Sequence, residues 1–415
     1  MKKYILIILC CLTSFPLWSY NVNMIVEHYS VDQGLPNNTV NCTLKDRDGF
    51  IWFGTWYGLC CFDGVKFKTF NKQEHDSDVP PRKIQRIVED KNGYIWVKTI
   101  DRKLYVFNKV TECFHAVYDD MKNYSENIQV IKLQNTAEGD VLLLTKDKNL
   151  LLAGVDEKGQ VTIKILFDSR NEINKHDYTL KHHVLCETEE YISWIGTDYK
   201  VAAVHKGSEL ASRPADFITS KINSGDKDSF TSFFEDGRKV WVGDRAGIFY
   251  SIDVRTGLVN RYVLSEIKGA ISNLLVTPAG YVYLSVAGQG TYEYDLAERR
   301  LQKINTEMND AMVTHAFIDQ YDKIWFHENE KALIYYDPLN HTAKRFPFTM
   351  FGKITTLYSE DAGERGLFFL SPAGEAWLFD REHAEMVYIN KLKQLSNDRA
   401  NQQFYHLMLD NDGVL

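Results

Sequence analysis

The sequence predicts an all-β fold, a β-propeller of four-stranded blades, and three observations carry that expectation. An aromatic strand recurs with anchors at Trp52, Trp96, Leu142, Trp194, Trp241, Tyr283, Trp325 and Phe369, spaced 42 to 52 residues apart. Each anchor strand follows an apolar run ending in an acidic or polar turn and precedes an aromatic strand and a fourth short segment, as in VNCTLKDRDG, IWFGT, LCCFDG and VKFKTF. The composition agrees: 13% aromatic, with 23 Tyr, 23 Phe and 8 Trp, favours strands over helices. Four strands per unit and a period of about 45 residues describe propeller blades. One twisted sheet cannot bury both faces alone, so blades must stack, and Trp52, Trp96, Trp194, Trp241, Tyr283, Trp325 and Phe369 are expected as structural blade anchors between them.

In chain order, the first element is a targeting segment. Lys2 and Lys3 precede an apolar stretch over residues 5–17, and Leu17-Trp18-Ser19 offers a cleavage site, so 1–19 reads as a signal peptide and the mature chain as periplasmic. That stretch is shorter than the roughly 20 residues of a membrane-spanning helix, and no second candidate follows. Residues 24–30 read as a spare strand able to close a ring. Seven blades then occupy 20–348, and 349–415 reads as the first blade and part of the second blade of a truncated second propeller. The alternative places all eight units in one ring ending near residue 390. A short helix is expected within 390–403, and 404–415 resembles a further repeat ending just before its anchor.

The formal charge of -8 comes from 48 basic and 56 acidic residues without a long basic run, which argues against a nucleic-acid footprint. Cys42, Cys60, Cys61, Cys113 and Cys186 lack CxxC spacing, so neither a metal site nor a disulfide scaffold is indicated, and buried free thiols are expected. The turn at residues 46–49 lacks the further ligands of a calcium loop. His182 and His183 are strand neighbours and point apart. No GxSxG, HExxH, P-loop or GxGxxG motif occurs, so no catalytic residue and no cofactor is assigned.

Residues 28–70, HYSVDQGLPNNTVNCTLKDRDGFIWFGTWYGLCCFDGVKFKTF, closely resemble the two-component regulator propeller repeat, with its GLP-N-V element, acidic Gly turn, IWFGT-like strand and GL-aromatic-DG strand. The resemblance is strong over blade one, fair over blades two, five and seven, and faint elsewhere. It implies the periplasmic, ligand-sensing region of a Bacteroidetes hybrid two-component system that detects glycan breakdown products and controls polysaccharide utilisation. Such receptors continue through a second propeller, an immunoglobulin-like domain, a membrane helix, a histidine kinase, a receiver and a DNA-binding domain. The resemblance therefore implies an oligosaccharide ligand, no enzyme activity in this chain, and dimerisation only in the full-length receptor. A secreted propeller lyase or hydrolase acting on glycans and a protein-interaction scaffold are the competing readings.

In a four-stranded antiparallel blade, the loop after the second strand and the loop into the next blade share one face. That reasoning gathers Trp56, Tyr57, Asp101, Arg102, Asp147, Lys148, Asp198, Tyr199, Asp244, Arg245, Gln289, Glu328 and Asn329. The ligand-binding candidates among them are Trp56, Tyr57, Arg102, Tyr199, Arg245, Gln289 and Asn329, because aromatic faces stack on sugar C-H surfaces while Arg, Asn and Gln direct hydrogen bonds.

Overall fold

The computed structural model describes residues 29–70, 80–122, 129–169, 180–188, 190–196, 201–207, 230–236, 238–304, 313–328, 331–351 and 357–391. They form eight antiparallel sheets in sequence order, over 40–70, 84–116, 130–167, 180–205, 230–262, 271–303, 313–347 and 358–391. Seven have four strands and the fourth has three among the described residues. In every sheet each strand pairs with its sequence neighbour, so the molecule is a β-propeller of up-and-down blades. A four-residue helical turn, Tyr118–Met121, is the one α-helix among the described residues.

Sheet one consists of β1 (Val40–Lys45), β2 (Ile51–Thr55), β3 (Gly58–Phe62) and β4 (Phe67–Phe70). Sheet two repeats it with β5 (Ile84–Glu89), β6 (Ile95–Thr99), β7 (Leu104–Asn108) and β8 (Cys113–Ala116). The two middle strands are almost wholly buried because neighbouring sheets cover both their faces, whereas the fourth strand carries exposed positions. First strands of successive sheets lie against one another, β1 on β5 among them, and so form the inner layer.

Apolar clusters join every consecutive pair of sheets. Trp52 packs with Ile84, Ile95 and Phe107 of sheet two, and Trp96 with Val130, Val141 and Leu143 of sheet three. Leu142 meets Trp194, and Ala203 of sheet four meets Val240 and Val242 of sheet five. Trp241 meets Leu274 and Val282, and Tyr283 meets Ile324 and Phe326. Trp325 and Phe369 share the last such cluster, in which sheet eight covers sheet seven. Among the described residues no apolar cluster joins sheet one to sheet seven or eight.

The anchor tryptophans also have a polar partner that packing alone does not provide. The acidic residue opening the first hairpin turn accepts the indole N-H: Asp46 from Trp52 (2.8 Å), Asp90 from Trp96 (2.9 Å), Asp236 from Trp241 (2.7 Å) and Asp319 from Trp325 (3.2 Å). The other carboxylate oxygen caps turn backbone N-H groups, as Asp90 Oδ1 does for Asn92 and Tyr94. In sheet six Thr277 holds the Asp position and Tyr283 the Trp position; there Glu293 accepts the tyrosine hydroxyl at 2.8 Å. A buried indole or phenol needs such an acceptor.

Several sequence expectations meet the structure only in part. Asn390 and Lys391 close the last strand, Glu385–Lys391, so the helix expected from residue 390 does not begin there; 392–403 lie outside the described residues. Of the spare strand at 24–30 only Tyr29 and Ser30 are described, and neither is in a strand; Tyr29 rests on Phe62 and Phe67 of sheet one. The signal segment and 404–415 also lie outside the described residues. Cys42, Cys60 and Cys61 are buried free thiols, and burial pushes the pKa of each up to about 12.

Candidate ligand-binding face

The loops after the second strands and those leading into the next sheet do share a face, and backbone hydrogen bonds tie them in series. Trp56 donates to Thr39 O (3.1 Å), Lys83 to Trp56 O (2.9 Å) and Ile100 to Lys83 O (2.9 Å). Val130 then donates to Arg102 O (2.9 Å) and Lys146 to Gln129 O (2.8 Å). The chain of bonds runs from sheet one to sheet three and sets Trp56, Lys83, Ile100, Arg102 and Lys146 side by side.

Each loop is shaped by its own residues. In sheet one the Thr55 hydroxyl donates to Gly58 O at 2.8 Å and closes a two-residue loop that leaves Trp56 38% and Tyr57 56% exposed. Sheets two and three use three-residue loops, closed by Thr99 on Lys103 and Thr145 on Asn149. Their last loop residue is left-handed, Arg102 at φ 68° and Lys148 at φ 70°. Sheet five fills the equivalent place with Gly247, φ 83°, which avoids the Cβ penalty of about 1–2 kcal/mol.

Over sheets one to three this face is cationic although the chain is acidic. Lys83 Nζ lies 5.4 Å from the Trp56 ring centre, a cation-π contact. Arg82, Lys83, Arg86, Arg102 and Lys146 are exposed and make no ion pair among the described residues. Lys103 pairs with Asp101 at 3.4 Å, and in sheet seven Arg345 pairs with Glu328 at 3.0 Å. Beneath them Lys98 is only 6% exposed, and its ammonium donates to Gln85 Oε1 at 2.5 Å. Burial, and then the nearby Arg102 guanidinium, lower its pKa below the usual lysine value.

Lys98 occupies the position two residues after the anchor, and the same position is Gly54, Gly196 and Gly243 in sheets one, four and five. A Cβ on Gly54 would stand 2.6 Å from Ile84 Cγ2, so the site is crowded by the next sheet. In sheet two the bulge residue between Ile84 and Arg86, Gln85, is the acceptor of the ammonium.

On the opposite face, carrying the hairpin turns, several cations are paired. Lys109 reaches back from sheet two to Asp46 (2.7 Å), Asp48 (3.1 Å) and Glu89 (2.7 Å), filling the space where those carboxylates converge. Burial raises the Asp46 pKa, but the Lys109 ammonium and the Trp52 indole outweigh it and hold the carboxyl below the usual range. Arg381 repeats the reach from sheet eight to Asp319 (2.6 Å) and Asp361 (2.8 Å). A cleft of about 340 Å³ opens on this side between Thr136, Glu138, Asp140, Glu190 and His205, but Lys206 pairs with Glu138 at 2.8 Å and with Glu187, and Lys91 with Asp140 at 2.8 Å.

Of the sequence candidates, Trp56, Tyr57 and Arg102 come together over sheets one and two, while Arg245 is exposed on sheet five. Gln289 has a structural occupation: its Oε1 accepts from Lys268 N at 2.7 Å and its Nε2 donates to Glu266 O at 3.1 Å, pinning the loop before sheet six. Tyr199 and Asn329 lie outside the described residues. Lys83, Arg86 and Lys98 were not among the candidates. The Lys98 signal was present, since IWVKT departs from IWFGT at its glycine.

Residues 34–57 match the two-component regulator propeller family, so the chain carries at least one such repeat, and that repeat ends on the exposed loop of sheet one. No curated protein matches the sequence. Among solved structures, the Dos1 propeller is 13% identical with a TM-score of 0.50, covering 80% of this chain and 90% of that one. The extracellular domain of the B. thetaiotaomicron hybrid two-component system BT4673 is 13% identical, with a TM-score of 0.39, over 88% of this chain and 62% of that one. The corresponding domain of BT3049, from the same organism, is 15% identical with a TM-score of 0.37, over 94% and 55%. The chain thus spans less than two thirds of either B. thetaiotaomicron domain. At these identities the likeness is one of fold.

Proposed function

We propose that this chain is the periplasmic, ligand-sensing propeller region of a hybrid two-component histidine kinase and response regulator, and that its ligand is an oligosaccharide whose arrival switches on polysaccharide utilisation. The observation that carries the reading is the two-component regulator propeller repeat at residues 34–57, which delivers Trp56 and Tyr57 to the exposed loop face. Exposed aromatic rings beside directed cationic donors suit sugar recognition, and loops on a rigid scaffold are where binding residues concentrate. Phosphotransfer belongs to the kinase of the whole receptor, and dimerisation with it. Within the chain, one arrangement is a ring over 20–348 with the opening of a second over 349–415, and the other is a continuous run of eight blades; the packing of sheet eight on sheet seven supports the second.

The test is calorimetric titration of a panel of oligosaccharides into the protein. A member of the panel is expected to bind without being turned over, and Trp56→Ala to weaken it about tenfold, the loss of one stacked ring. Hydrolysis or elimination of any panel member would instead establish the enzyme reading.

A further inference from the structure

We propose that the loop face of sheets one to three recognises an anionic group on its ligand, a sugar carboxylate or sulfate ester, through Lys98 and Arg102. The inference rests on the sensing reading above and narrows the class of sugar.

Three independent features of the face converge on it. The first is Lys98, a residue only 6% exposed whose ammonium has a neutral amide, Gln85, as its hydrogen-bond partner and no ion pair among the described residues. Burying an unpaired charge is costly, and natural sequences rarely keep one in a core without a counter-charge. Elsewhere the position holds Gly54, Leu144, Gly196, Gly243, Ser285, His327 or Ser371, so the fold does not require a charged residue there. The second is Arg102, exposed on the adjoining loop with its guanidinium near enough to Lys98 to act on the ammonium. The third is the concentration of charge: Lys83 and Arg102 in the string of hydrogen-bonded loops, and Arg86 beside them, make no ion pair among the described residues, whereas Lys109 and Arg381 of the opposite face are matched by Asp46, Glu89 and Asp319.

An anion seated between Lys98 and Arg102 supplies what the site lacks. It neutralises the buried ammonium, and its oxygens accept charge-assisted hydrogen bonds from ammonium and guanidinium, which are stronger than neutral ones. The Trp56 ring beside Lys83 then provides a flat apolar surface for the body of the sugar. A neutral sugar could use the ring but would leave the cations unmatched.

The experiment uses the whole chain and three probes of similar size: an oligogalacturonide, a sulfated chondroitin disaccharide and a neutral galacto-oligosaccharide. Binding is measured by calorimetry at about 0.05 M and about 0.5 M salt, since surface cation-anion attraction is screened over this range. Proteins compared are the native chain, Lys98→Met, Arg102→Gln and, as a control on the opposite face, Lys66→Gln. The expected result is that a charged probe binds at least about tenfold more tightly than the neutral one, loses about tenfold in Lys98→Met and in Arg102→Gln, weakens in salt, and is unaffected by Lys66→Gln. The two charged arms distinguish a carboxylate from a sulfate ester. Lys98→Met is also expected to raise the thermal midpoint, because it keeps the buried stem and removes the uncompensated charge; a purely structural lysine would lower it. Neutral and charged probes binding equally, with Lys98→Met unchanged, would overturn the inference and leave the sensing reading standing. Failure of all three probes to bind would overturn both.

Discussion

Asp90 shows at the residue scale how a turn residue and an anchor act as one unit. Asp90 is 1% exposed and its carboxylate receives the Trp96 indole and two turn N-H groups, so Asp90→Ala would orphan one buried and two half-buried donors. The expected cost is about 2–4 kcal/mol in urea unfolding, with Asp90→Asn costing less because it keeps acceptors. The spacing was legible, since DRDGFIW and DKNGYIW set Asp six residues before Trp. It reads as a turn signal only, because nothing in a linear sequence says that the second oxygen faces an indole. Glu235 behaves oppositely. Burial, then Glu187 and Asp236, raise its pKa from 4.5 to about 7, and its Oε2 has no partner. A carboxyl whose folded pKa lies above its unfolded value favours folding while protonated; its stabilisation is lost as pH rises from about 4.5 through about 7. Glu235→Gln should flatten the fall of the thermal midpoint across that window and leave the midpoint at about pH 4 nearly unchanged.

At the scale of strands and turns, one glycine and one bulge govern how sheets approach. On Gly54 in β2 a Cβ would sit 2.5 Å from Cys42 Sγ and 2.6 Å from Ile84 Cγ2. Gly54→Ala must therefore push sheet two away, and a loss of about 1–3 kcal/mol is expected by denaturant titration. The bulges near the start of the first strands, at Asn41, Gln85, Thr231, Ser272 and Thr314, present polar side chains at the inner layer. Asn41 and Thr231 donate to the first strand of the next sheet, at Ile84 O and Ile271 O, whereas Gln85 is turned to Lys98. Strand order and turns were readable from period and composition. The bulges were not, since an extra residue in one strand shows only once its partner's register is fixed. Hence Lys98 escaped notice while Trp56, Tyr57 and Arg102, placed by simple alternation of loops, did not.

For the whole molecule, the period of about 45 residues was enough to define an eight-unit β-propeller stack. How units close is a property of contacts far apart in sequence, which periodicity does not encode. Trp325, Tyr335 and Phe346 of sheet seven are buried together with Leu367, Phe369 and Phe379 of sheet eight. A chain ending at residue 351 would uncover that surface, at about 1.5–3 kcal/mol for each large side chain exposed. It is expected to unfold at lower urea than the full chain or to self-associate, whereas a ring complete at seven blades would be unaffected.

The measurement that bears most directly on the binding face is hydrogen exchange of the protein with and without the tightest oligosaccharide of the panel. Added protection is expected at 55–58, 82–86 and 98–103, where the loops of sheets one and two meet, and none at 63–66 or 108–111 on the opposite face. Protection confined to the hairpin-turn side, around Glu138, Glu190 and Lys206, would place the ligand in the other cleft and contradict the assignment.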